Sequence, residues 1–106
     1  MKVVLLAEAE AELEDAASWY DERREGLGDE LLRAVREALL VISEAPESWP
    51  RWPNAPARIP PLRRFVLPRF PYAIAYQVHG DFVSVLGIAH GRRKPLYWIG
   101  RSGSRP

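Results

Sequence analysis

Residues 46–61 contain six prolines in sixteen positions, and this run constrains the fold more than any other feature of the chain. Each proline lacks a backbone N–H and holds φ at about −65°, so neither a continuous helix nor a central strand can cross it. The chain is thereby cut into two parts with different patterning. Before the cut, apolar residues recur at helical spacing; after it, they alternate as in strands. Trp49 and Trp52 lie inside the run and are expected to pin an ordered, extended crossing loop to the core.

In the first part, Lys2-Val-Val-Leu-Leu6 reads as a short strand. From Glu8 the period changes: Ala9, Leu13, Ala16, Ala17 and Tyr20 mark one helical face. Glu8, Glu10, Glu12, Glu14, Asp15 and Glu22 cover the other faces, as solubilising groups and i,i+4 partners. Gly26 suits a helix C-cap and Gly28-Asp29 a fresh start. Leu31, Leu32, Val35, Ala38, Leu39 and Ile42 then define a second helix that ends before Pro46. Two helices so closely joined predict an antiparallel hairpin.

In the second part, strands are expected at 62–67, 72–78 and 82–89, the last two joined by a tight turn at His79-Gly80-Asp81. The order β-α-α-β-β-β predicts an α+β fold, a helical hairpin packed on one face of an antiparallel sheet. At 106 residues the chain is expected to be one domain, with 102–106 a flexible tail.

Composition narrows the function classes. Cysteine is absent, which excludes a disulfide framework, a zinc-thiolate site and a cysteine nucleophile. Metal-ligand spacing is also missing, and neither metal nor cofactor is expected. No apolar run approaches the ~20 residues of a membrane span. The N-terminus turns acidic at once, unlike a signal peptide, so the expected location is cytoplasmic. The net charge of +1 conceals a split. Residues 1–50 carry five basic groups against thirteen acidic ones, a balance of −8; residues 51–106 carry ten against one, a balance of +9. The split points to an anionic partner for the second half, with nucleic acid the obvious candidate.

The densest chemistry is His90-Gly-Arg-Arg-Lys-Pro-Leu-Tyr-Trp98, directly after the last strand. Arg92, Arg93 and Lys94 stand beside Tyr97 and Trp98, a mixture able to hold phosphates and stack bases or to bind an acidic protein. Arg58, Arg63, Arg64 and Arg69 form a second basic group, in which alternation sends Arg63 and Arg64 to opposite faces of the sheet. His79 reads as turn chemistry; His90 is either a strand-end anchor or a general base. No carboxylate pair is available, because Asp81 is the only acid after Glu47.

Together these pieces resemble the RelE/ParE superfamily of bacterial type II toxins (plasmid stabilisation proteins), over residues 3 to about 101. The resemblance rests on Ala9-x3-Leu13, Trp19-Tyr20 before Gly26-Leu-Gly28-Asp29, and Ile42-x3-Pro46. It continues through Arg64-Phe65, Phe70-Pro-Tyr-Ala-Ile-Ala-Tyr76 and Val83-x-Val85 to Ile88-Ala-His90-x-Arg92-Arg93-x-Pro95. It implies a growth-inhibiting toxin silenced by a co-expressed antitoxin in a hetero-oligomer. The antitoxin would lay a helix or strand on the hydrophobic surface and acidic residues on the basic patch. RelE-like members cleave mRNA on the ribosome; ParE-like members inhibit DNA gyrase without nuclease chemistry.

For the nuclease, the resemblance implies Arg64 or Arg63, Arg92, Lys94 and Tyr97 as the catalytic group. However, the arginine such enzymes carry before the Tyr-Gln-Val stretch is Ala73 here. Arginine is also a poor proton donor, since its pKa exceeds about 12. The ending His90-x-Arg-Arg-x-Pro95 is closer to ParE-like sequences. That resemblance implies gyrase inhibition through His90, Arg92, Arg93, Lys94, Tyr97, Trp98 and Arg63. An inactive member that keeps only antitoxin binding is the third expectation.

Overall fold

The strand with the longest apolar run organises the molecule. In the computed structural model, which describes residues 1–101, that strand is β4 (Phe82–His90). It follows β1 (Lys2–Leu5), α1 (Ala7–Arg23), α2 (Leu27–Glu44), a short 3-10 turn (Pro46–Ser48), β2 (Leu62–Val66) and β3 (Tyr72–Val78). The expected tail, 102–106, lies outside the described residues. Among those residues no helix is long and apolar enough to cross a membrane.

The strands form one sheet in the order β1-β4-β3-β2. β3 runs antiparallel to both β2 and β4. β1 joins the far edge parallel to β4, Val3 facing Val83, so the sheet is mixed where a purely antiparallel one was expected. Parallel neighbours need a long connection between them, and the helical hairpin and proline loop supply it.

Strand β4 is buried at every position from Val83 to Ala89, which requires a cover on both faces of the sheet. On one face, Val83, Val85, Ile88, Ile74 and Tyr76 meet Ala9 and Ala16 of α1 and Leu31, Val35, Ala38 and Ile42 of α2. On the other, Leu62, Ala75, Leu86 and Ala89 meet Leu6 and Trp98, with Trp52 and Leu96 packed alongside. A bulge adjusts β4 between the two layers. Ala75 faces Gly87 while Tyr76 faces Val85, so Leu86 is an extra residue. The second layer also needs a glycine at 87, where a Cβ would stand 3.3 Å from the Trp98 side chain.

The hairpin forms as expected, with its junction shifted by a few residues. Arg24 is the C-cap of α1, and Gly26, at φ +89°, is the N-cap of α2 instead of a C-cap for α1. Gly28 lies inside the first turn of α2, where any Cβ would overlap the Ala17 carbonyl oxygen. Its N–H donates to Asp21 Oδ1 at 2.7 Å, locking the two helices together.

The proline loop crosses from the helical layer, round the edge of β2, to the opposite face. Trp49 packs on Phe65 on the helical side and Trp52 on Trp98 on the other, both with centroids 4.8 Å apart. At the crossing the Trp52 N–H donates to Leu62 O at 2.8 Å and the Arg64 N–H to Pro50 O at 2.9 Å. The wholly buried Tyr76 donates its hydroxyl to Pro46 O at 2.7 Å.

Burial pushes the Tyr76 phenol up to about 12, with the nearby Arg63 charge working in the other direction. A phenol whose pKa is raised on folding adds stability below its unfolded value, near 10.0. That contribution disappears as pH climbs from there through about 12. Tyr76→Phe is therefore expected to lose about 1 kcal/mol at pH 7 in urea unfolding. It should also show a shallower fall in stability than the unsubstituted chain across the alkaline range. Equal slopes would contradict the burial of this phenol.

Candidate functional site

The basic segment after β4 is shaped by hydrogen bonds that its own backbone supplies. The Gly91 N–H donates to Pro71 O at 2.8 Å and the Arg93 N–H to His90 O at 3.0 Å. The Arg92 N–H donates to His90 Nδ1 at 3.0 Å, and the imidazole meets Tyr72 edge-on with centroids 5.0 Å apart. His90 thus occupies the geometry of a strand-end anchor. Arg92 stands exposed on this turn.

Leu96 then takes φ +63°, a left-handed conformation that costs a branched residue roughly 1–3 kcal/mol. It turns the chain back beneath the sheet and delivers Trp98 into the second core layer. Trp98, expected on the target-facing surface, is wholly buried between Gly87 and Trp52 and is a core residue.

These turns leave an open groove of about 430 Å³ on the sheet face opposite the helices. Its floor is apolar and small: Val66, Ala73 and Ala89. Trp52 and Leu96 form walls, and Arg64, Arg93 and Lys94 contribute the charge. Among the described residues, no carboxylate lines it. Arg64 and Arg63 do lie on opposite faces, as alternation requires. Arg64 reaches the groove; Arg63 points to the helical side and donates to Glu47 O at 3.2 Å and Trp49 O at 2.7 Å. Arg63, expected to face the target, therefore ties down the proline loop.

Tyr97 forms the partition between this groove and the helical side. Its hydroxyl donates to Glu12 Oε2 at 2.5 Å. Glu12 Oε1 accepts the Ile88 N–H at 3.1 Å, next to the bulge. Arg101 grips the same carboxylate through both Nη atoms, at 3.0 and 3.1 Å, and also donates to Leu86 O at 2.9 Å. Arg93 lies over the Tyr97 ring at 3.8 Å and 4.0 Å from Glu12. Burial first, and the Glu12 hydrogen bond second, hold the Tyr97 phenol far above the usual phenol range. At neutral pH the phenol is protonated and donates to Glu12.

The pattern predicted Glu12 as one of many solubilising acids; its real position is a junction of α1, β4 and the C-terminal segment. A signal was present. Glu12 lies three residues after Ala9 and four before Ala16, on the buried stripe of α1. Among the described residues no three His, Asp or Glu side chains gather as a metal site. The groove can hold anionic or acidic matter by charge, through Arg64, Arg93 and Lys94, and His90 also stands at its lining.

Glu12→Ala removes the carboxylate that accepts from the Ile88 N–H, the Tyr97 hydroxyl and both Nη atoms of Arg101, leaving Arg101 only its bond to Leu86 O. We expect a loss of about 2 kcal/mol in urea unfolding, with faster tryptic cleavage at Arg101. Glu12→Gln should fall between. Wild-type stability and cleavage rate in Glu12→Ala would show that the carboxylate does not hold the segment.

The model of the ParE toxin of the type II toxin–antitoxin system, parDE, matches residues 3–95. No curated protein sequence matches the chain. Among solved structures, a chain of the chromosomal ParDE TA system from P. aeruginosa is similar, with a TM-score of 0.63 at 20% identity. The match covers 85% of this chain and 95% of that one, and at such identity it concerns the fold.

Proposed function

Because the chain belongs to the ParE toxin family of type II toxin–antitoxin systems, we propose that it arrests growth by binding DNA gyrase in the cytoplasm. Contact is made through the basic groove and the adjoining 91–95 turn, without bond-making chemistry. A cognate antitoxin silences it by bringing acidic residues to the same face. The observation that carries this reading is the state of Tyr97. Cleaving RNA through its 2′-hydroxyl needs a base and an acid, and the phenol that a nuclease would use is already a donor to Glu12. Ala73, where the interferase reading needs an arginine, is part of the apolar floor. The other ionisable groups lining the groove are Arg64, Arg93 and Lys94, cations suited to attraction, and His90, whose Nδ1 is taken by the Arg92 N–H.

Induced expression should arrest growth, and the purified chain should inhibit supercoiling by gyrase. Arg64→Ala combined with Lys94→Ala should weaken inhibition about tenfold, with a flatter salt dependence. Ribosome-dependent mRNA cleavage with untouched supercoiling would establish the interferase instead. A folded chain that fails to arrest growth would be an inactive member of the family.

A further inference from the structure

Resting on the reading that the groove meets a target protein, we infer the chemistry of what enters it. The target contributes an extended acidic segment carrying one large apolar side chain, seated over Ala73 and Ala89. Several features of the groove point to this ligand.

The floor is made of methyl-sized side chains and Val66, which is 59% exposed at the edge of the sheet. A volume of about 430 Å³ exceeds the needs of an ion and suits a large side chain with its flanking backbone. The outer edge of β2 is paired with the 50–52 segment only as far as Arg64. Beyond it, Val66 offers an edge along which an extended chain can lie. The charge is one-sided, since Arg64 and Lys94 line the groove and no described carboxylate answers them. Arg64 Nε is in addition buried without an acceptor among the described residues. The guanidinium makes no side-chain hydrogen bond among the described residues, so a carboxylate entering the groove would be a partner for its outer nitrogens.

A nucleic acid fits this groove less well, because its aromatic faces are already partly engaged within the chain. Arg93 covers the Tyr97 ring at 3.8 Å, Trp52 packs against Trp98 with Arg64 above it, and Trp98 is buried. Single-strand recognition depends on open aromatic faces for stacking, and here those of Tyr97 and Trp52 are partly engaged by arginines of the chain itself. The ligand class is thus set by an apolar floor between two cations.

The test uses the full chain, labelled with ¹⁵N, and the pentapeptide acetyl-Asp-Glu-Phe-Asp-Glu-amide. Amide shifts should centre on Val66, Ala73, Ala89 and Leu96. Replacing the central Phe of the peptide by Ala should weaken binding about tenfold or more, the worth of burying one aromatic side chain. Ala73→Arg, which fills the floor, should abolish peptide binding and reduce gyrase inhibition in parallel. Val66→Lys, at an exposed position that the fold tolerates, should weaken both in the same direction. Equal binding of the two peptides, shifts elsewhere, or displacement of the peptide by an RNA hexanucleotide would overturn the assignment. So would wild-type gyrase inhibition by both variants, since the target would then sit elsewhere. The two readings fail separately. A chain that binds the Phe peptide here without inhibiting supercoiling removes gyrase as target and keeps the ligand class. A chain that inhibits supercoiling but ignores the peptide removes the ligand class alone.

Discussion

Strand β4 must be shielded on both faces, and a single helical hairpin can shield only one. The rest of the structure follows from that constraint. An apolar strand buried from Val83 to Ala89 cannot leave its second face in water. With no third α-helix among the described residues to cover it, the chain uses the proline loop before β2 and the segment after β4. The proline loop brings Trp52 across the sheet, and the C-terminal turns bring Trp98 under it. Irregular segments thus do the work of a layer, held by aromatic packing where regular hydrogen bonding is lacking. The groove is the space between these two covers, where neither reaches across Val66, Ala73 and Ala89.

The bulge at Leu86 links this packing to electrostatics. It places Leu86 and Gly87 on the second layer, and next to it the Ile88 N–H finds its acceptor in Glu12 instead of in a strand. The same carboxylate then holds Tyr97 and Arg101, so the wall of the groove is anchored to the helical layer through one side chain. The opposite charges of the two halves are partly spent inside the molecule. Glu12 meets Arg101, and Glu30 meets Arg69 at 2.9 Å. The lining of the groove keeps Arg64 and Lys94 with no described carboxylate beside them, and there the surplus of the second half is available to a partner.

Much of the architecture was legible in the residues. The hairpin, the three later strands and the crossing loop follow from apolar spacing and from proline chemistry, which act over a few residues. So does the separation of Arg63 from Arg64, because strand alternation admits no other arrangement. The site was legible only in part. Tyr97 and Trp98 are adjacent aromatics in a basic run, and nothing local distinguishes a surface pair from a buried one. Trp98 is core because Gly87, eleven positions earlier, lacks a side chain, and because Trp52 arrives from the far side of β2.

The sequence by itself determined which stretches are helix and which are strand, and that positive charge would be concentrated after the first proline. These are local matters, settled by backbone chemistry and by the period of apolar residues. Only the tertiary structure decided that β1 pairs parallel to β4, that Arg63 serves the loop while Arg64 serves the groove, and that Glu12 is a clamp. Each of those outcomes depends on partners far apart in the chain, Glu12 and Arg101 among them. No pattern along the chain records which acid a bulged strand brings within reach of a given phenol. Packing makes that choice, by deciding which face of each element is left to be covered.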